Sequence, residues 1–253
     1  MCSRATGAAT WLVLLAAGAA RADFLLWDNY PDGVFLPDWS VSSERNTIRA
    51  EPTWVVDDVL LAGPPTVPLT RIEWLGTRDP AYAYDRVDLI VLASMFDSQT
   101  QRTVPDPSTA VTRMDLTSFT ATRLSPDPNP APESEVYQGE LLLDAALLPP
   151  AAHFYVGVRL VGAGANNDGT NGTVVAGMDA SPRGLTEGFF LGPSFGVDQW
   201  TPVSDLFGRD DNFEFAFRVF GVPEPATAVL LAAGALLGSR RLRTRIESRK
   251  LAD

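Results

Sequence analysis

The sequence contains one cysteine, Cys2, and one histidine, His153. Cys2 precedes the first apolar run, so the rest of the chain has no thiol, which excludes disulfides, cysteine nucleophiles and cysteine metal sites there. A single histidine cannot build a histidine-rich metal site. Because His153 opens an apolar segment, we expect it to be a partly buried strand residue.

Lysine is absent between residues 23 and 221, where 28 acidic residues stand against 12 arginines and give a net charge of −16. Such a surface disfavours nucleic acid and anionic lipid, and it suits solubility or divalent cations. The sequence also lacks a basic patch with interleaved aromatic residues. We therefore expect no nucleic-acid partner.

Long helical patterns are missing from the same region, which instead contains short β-branched and apolar runs separated by Gly/Pro-rich turns. This pattern predicts an all-β domain over residues 23–221, an antiparallel, jelly-roll-like β-sandwich. The run at 69–76 alternates and predicts a strand with one face in water, whereas 86–95 predicts a strand buried on much of both faces. The other predicted strands are 24–28, 53–61, 111–123, 135–143, 153–161, 173–178, 187–191 and 213–220.

The N-terminus has the pattern of a secretory signal. Arg4 precedes an apolar run over residues 8–20, and small residues flank Arg21. This predicts a helical signal peptide over residues 1–22, with signal peptidase cleaving between Ala22 and Asp23.

The C-terminal segment, residues 222–253, has three blocks in order. Pro223 and Pro225 make a stiff, extended triplet around Glu224. The uncharged run 226–238 predicts an apolar helix of roughly 20 Å, a marginal membrane anchor beside a bilayer core of roughly 30 Å. A helix docked on the body is the alternative, but the run shows no polar face. The third block is basic and predicts a cytoplasmic end; it contains Arg240, Arg241, Arg243 and Arg245.

This order of triplet, apolar run and arginines resembles the PEP-CTERM sorting signal of exported bacterial proteins. The resemblance implies a substrate of exosortase, a membrane processing enzyme, with Pro223, Glu224 and Pro225 as its recognition residues. The protein would then be exported, transiently anchored in the membrane, and delivered to the cell surface or extracellular matrix. The body resembles the same proteins loosely, at residues 27–29, 56–59, 72–76 and 215–221, and this likeness implies no chemistry.

Carboxylates are the candidate metal ligands. Neighbouring side chains on a strand point to opposite faces, so one of Asp57 and Asp58 should face inward. An inward carboxylate must be hydrogen-bonded or bind a cation. Asp168 and Asn171 lie in a loop rich in oxygen donors, which suits Ca²⁺. We therefore expect no cofactor, with hydrogen-bonded carboxylates and a plain hairpin loop, and a structural Ca²⁺ at some of these four candidates is the alternative.

Catalytic signatures are weak. The segment 192–196 matches a G-x-S-x-G pattern around Ser194, but neither a helix nor a histidine follows it, which favours a plain turn. We therefore expect a non-enzymatic protein. A carbohydrate-binding module, with extracellular polysaccharide as its partner, is the alternative, and a glycan-active hydrolase using two carboxyl groups is a further one. The aromatic candidates for sugar contact are Trp39, Trp54, Trp74 and Trp200, with Tyr82 and Tyr84 expected at the surface.

Overall fold

The computed structural model describes residues 23–30, 40–41, 43–46, 53–62, 66–78, 84–126, 135–162, 174–177, 186–208 and 213–222. The chain divides into two compact units. One is Leu25–Gly221, called the body below. The other comprises Met1–Phe24 and Val222–Asp253, of which the structure describes only Asp23, Phe24 and Val222.

The described part of the body is made of strands, with one short helix, α1 (Val203–Phe207), and two 3₁₀ turns. The strands are β1 (Phe24–Asp28), β2 (Ser40–Val41), β3 (Glu44–Asn46), β4 (Trp54–Leu60), β5 (Leu69–Arg78), β6 (Arg86–Asp97), β7 (Arg102–Pro105), β8 (Val111–Leu116), β9 (Phe119–Pro126), β10 (Glu135–Leu147), β11 (His153–Gly162), β12 (Val174–Gly177), β13 (Phe189–Gly192), β14 (Val197–Pro202), β15 (Glu214–Phe215) and β16 (Phe217–Gly221). The all-β prediction is confirmed. The predicted terminal helices lie outside the described residues.

The described strands form three sheets. A five-stranded sheet has the order β1-β16-β5-β10-β9, and a larger sheet has the path β14-β13-β4-β11-β6-β7, with β8 pairing to β6. Strand β3 pairs with β11 in parallel, whereas β4 and β6 pair with β11 antiparallel. The third sheet has the order β15-β12-β2.

A main core draws its side chains from both of the larger sheets. The five-stranded sheet contributes Ile72, Trp74 and Tyr137, and the larger sheet contributes Val91 and Phe154. Removing this apolar area from water is the principal stabilising term. Strand β5 supplies Ile72 and Trp74 because alternate residues of a strand share a face.

The other face of β5 differs from the sequence prediction. Glu73 was expected in water, but it is only 6% exposed. Arg71 lies 3.2 Å from Glu73 and Arg218 lies 3.8 Å away, so the arginines cover the carboxylate. Their long apolar stems can shield such a face while the charged ends remain partly hydrated.

The larger sheet packs a second core against its opposite face. This second core consists of Trp54, Val56, Ile90, Leu92, Tyr155 and Phe189. The prediction that residues 86–95 are buried on both faces is confirmed over most of that range, with Val87–Leu92 buried. Strand β4 is likewise covered on both sides, and this position determines the surroundings of its two aspartates.

Candidate functional site

Three buried carboxylates meet where β4 and β15 approach each other. Asp57, Asp58 and Glu214 are each 2% exposed or less. One carboxylate oxygen from each lies within 4.8 Å of the other two. We call these residues the acidic triad.

Both aspartates are buried because β4 has a core on each face. Asp57 shares a face with Val55 and Val59 of the main core, and Asp58 shares the other with Val56 of the second core. The sequence predicted that one of the pair faces inward, and the structure buries both. The sequence pattern could not reveal the second core, because its members come from four separate strands.

Asp57 is held by backbone and amide donors. The backbone N–H of Phe215 donates to Oδ2 at 2.7 Å, and that of Asp58 donates to Oδ1 at 3.0 Å. Asn29 Nδ2 donates to Asp57 Oδ2 at 3.1 Å, to Glu214 Oε2 at 2.8 Å and to the Phe215 carbonyl at 3.1 Å. Two amide hydrogens therefore face three acceptors. Asn29 Oδ1 is buried without a hydrogen-bond partner.

Asp58 has a different set of neighbours. Its Oδ2 accepts the backbone N–H of Thr186 at 3.1 Å and lies 2.7 Å from Nε2 of His153. His153 opens β11, and its side chain is 13% exposed. The prediction of a partly buried strand histidine is confirmed.

The electrostatics of the triad favour a proton or a cation. Burial raises the pKa of Asp57 well above its usual range, and the charges of Glu214 and Asp58 raise it further. The N–H groups of Phe215 and Asp58 offset only part of this effect. The ligand atoms are all oxygens, which suits Ca²⁺ among common cations. Within the described residues, the triad is the one acidic or histidine cluster close enough to hold an ion.

Glu214 was not singled out from the sequence, although it lies within the predicted closing strand, residues 213–220. It is 185 positions from Asn29 in the chain, and no local spacing connects the two. Asp23, on the predicted cleavage side, is described and exposed. The other predicted positions lie outside the described residues; they are Ala22, Asp168, Asn171, Pro223, Glu224, Pro225, Arg240, Arg241, Arg243 and Arg245.

Asp88 on β6 is a further buried carboxylate, and it is paired with arginines. Arg45 donates to it from Nε at 2.7 Å and from Nη2 at 3.0 Å, and Arg159 Nε donates at 2.7 Å. The backbone N–H of Asp115 adds a bond of 2.8 Å. Burial raises the pKa of Asp88, but these hydrogen bonds outweigh it and hold the pKa below its usual range. Arg159 also lies 3.9 Å over the ring of Trp54.

An open cleft of about 720 Å³ lies on the body. Its lining includes Trp200, Leu191 and Val104, which pack against the second core. The other described aromatic candidates are not part of its lining. Trp54 and Trp74 are buried, Tyr84 packs against the main core, and Trp39 and Tyr82 lie outside the described residues.

Ser194 lies in a 3₁₀ turn, Pro193–Phe195, which connects β13 to β14. Gly196 ends the turn at φ 75°, in the left-handed region that glycine adopts readily. The prediction of a plain turn is therefore confirmed, since the serine is followed by a strand.

The described residues include no helix that is both long and apolar enough to span a membrane. In the comparisons with known proteins, no family model matches the chain, and no curated protein matches it either.

Proposed function

We propose that this chain is an exported, non-enzymatic protein of the cell envelope or extracellular matrix, sorted by a C-terminal PEP-CTERM signal. The observation that carries the proposal is the order of blocks in the tail. The triplet Pro223-Glu224-Pro225 is followed by the uncharged run 226–238 and then by the basic cluster.

Two partners follow from this proposal. Signal peptidase removes residues 1–22, and an exosortase-type enzyme recognises the triplet while the run 226–238 holds the protein in the membrane. The basic cluster at Arg240, Arg241, Arg243 and Arg245 stays on the cytoplasmic side. The protein then reaches the cell surface or the medium.

We also propose that the body is a jelly-roll-like β-sandwich. The shared main core is the observation in favour, because side chains of the two larger sheets pack in one cluster. The body needs no cofactor for this role. A structural Ca²⁺ would bind at the acidic triad, where Glu214 joins Asp57 and Asp58.

The non-enzymatic proposal is supported by the surroundings of the acidic and histidine side chains in the body. The triad carboxylates are almost fully buried, and His153 contacts one of them. In the cleft, Asp97 accepts hydrogen bonds from the Gln99 N–H and the Thr100 hydroxyl, which lower its pKa. A glycosidase acid requires the opposite shift.

The test is the intact mass of the protein recovered from cell fractions with and without an exosortase. We expect a chain that begins at Asp23 and ends near the triplet only when the exosortase is present. Replacing Pro223, Glu224 and Pro225 by alanine should leave the tail attached, whereas Glu247→Ala, in the same tail, should not. An intact arginine tail on surface protein from exosortase-positive cells would contradict the proposal.

A further inference from the structure

The cleft lies between the two edge strands of the larger sheet. Strand β7 contributes Arg102 and Val104, and strand β14 contributes Asp198, Gln199 and Trp200. These strands end the path β14-β13-β4-β11-β6-β7, so the sheet curls until its edges border one cavity. The second core forms the floor beneath it, since three lining side chains pack on that core.

The floor presents a fixed aromatic surface. Trp200 is partly buried, because it packs against the second core while it lines the cleft. Val104 and Leu191 lie in the same lining, and Met95 is 41% exposed there. A partly exposed ring held by packing offers a flat apolar contact at little cost in side-chain entropy. The CH face of a sugar ring matches such a surface.

Two polar groups of the lining are available to a ligand. Asp198 and the side chain of Gln199 make no hydrogen bond or ion pair within the part of the chain that is described, and both are exposed. Arg102, in contrast, is committed, with Nη1 3.1 Å from Asp205 and 3.8 Å from Glu187. The Asp198 carboxylate can accept hydrogen bonds, and the Gln199 amide can both donate and accept them. Together they complement two neighbouring hydroxyl groups of a sugar.

The charge of the cleft selects among hydroxyl-rich ligands. Among the described lining residues, Asp97, Asp198 and Asp205 are acidic and Arg102 is the one cation. This negative excess repels uronic-acid and sulfated chains and leaves neutral ones unopposed. The volume falls within the range of roughly 300–1,000 Å³ that is typical of small-molecule sites.

We propose that this cleft binds an uncharged polysaccharide chain, with sugar rings stacked on Trp200 and hydroxyl groups bonded to Asp198 and Gln199. The proposal concerns the body alone and does not rest on the sorting signal. Binding by protein that is never processed would therefore support this proposal without bearing on the other.

The experiment uses the full chain, purified from membranes in mild detergent, and calorimetry with neutral gluco-, manno-, galacto- and xylo-oligosaccharides. We expect at least one neutral series to bind and polygalacturonate not to bind. Trp200→Ala should weaken that binding by about tenfold or more, the loss expected for one aromatic stacking contact. Phe195→Ala removes a 47% exposed ring outside the cleft and should leave the affinity unchanged.

Gln199→Ala provides a second test, because its side chain is exposed and its loss should not affect folding. We expect a severalfold weaker affinity for the same oligosaccharide. Silence of every neutral series with folded wild-type protein would overturn the proposal. Equal affinity of the wild type and both variants would overturn it as well. Binding of polygalacturonate in place of the neutral series would also overturn it, because the cleft would then take an anionic ligand.

Discussion

Replacing Glu214 by glutamine tests how much the mutual repulsion of the acidic triad lowers the free energy of unfolding. Two carboxylates 4.8 Å apart repel each other by about 3 kcal/mol at an effective dielectric constant of 20. With all three ionised, the three pairs together cost about 10 kcal/mol, which is comparable to the whole stability of a domain. This repulsion favours a proton on Asp57, whose pKa is raised by burial and then by the charges of Glu214 and Asp58.

The sign of the pH dependence follows from this proton. A carboxyl group whose pKa is raised on folding binds more protons in the folded state than in the unfolded state. The stabilisation of the folded state by this extra proton is fully present below the ordinary pKa of aspartate. It is lost as the pH rises towards the raised pKa of the folded state. In metal-free buffer we expect the wild type to lose up to about 1.4 kcal/mol per pH unit through this window.

Glu214→Gln removes two of the three repulsive pairs and keeps an oxygen that can accept from Asn29. We expect the variant to be more stable than the wild type at pH 8, by about 3 kcal/mol, with the difference shrinking towards pH 5. Urea denaturation followed by tryptophan fluorescence, with EGTA present, measures it. Glu140→Gln is the matched control, since Glu140 is half-buried and paired with Arg71, and it should change stability by about 1 kcal/mol or less.

A wild-type stability that is flat or rises between pH 5 and pH 8 in EGTA would refute the reasoning about the triad. A Glu214→Gln variant that is destabilised equally at both pH values would refute it too. Repeating the urea denaturation with millimolar Ca²⁺ distinguishes a triad neutralised by a proton from one neutralised by a bound cation. Stabilisation of the wild type by Ca²⁺, absent in Glu214→Gln, would place the ion at the triad.

Three further predictions concern the stability of the body. Asp88→Ala should lower the free energy of unfolding by about 3–5 kcal/mol, because it leaves the buried Arg159 without its carboxylate partner; urea denaturation at pH 7 measures this loss. Gly139→Ala should cost about 1–3 kcal/mol in the same assay, because a methyl group there overlaps the ring of Trp74. Gly196→Ala should lower stability by only about 1 kcal/mol, because space is open there and only the φ of 75° opposes the methyl group.

Local patterns in the sequence predicted the strands that carry the two cores. The apolar runs of β5, β6 and β11 can be recognised in the sequence alone, because the buried residues of each strand are consecutive or alternate along it. The segment 111–123 was predicted as one strand region, but the structure divides it into β8 and β9. Asp115 adopts φ 55° near this break, and its backbone N–H donates to Asp88. This long-range bond has no local signature.

The cleft could not be predicted from the sequence for a related reason. Strands β7 and β14, which border it, are short and rich in polar residues, so their hydrophobic pattern does not distinguish them from loops. Trp200 appeared in the sequence as one of several aromatic residues. Only the curling of the larger sheet distinguishes it from Trp54 and Trp74, which fill the cores.

The pairing of β1 has a consequence for the order of folding. It is an edge strand whose one neighbour in its sheet is β16, the last strand of the body. The side-chain amide of Asn29, the residue that follows β1, also donates to Glu214. Contacts of such long sequence separation close slowly. The nascent chain would therefore complete the β1 edge of the five-stranded sheet only after nearly all of the body had been synthesised.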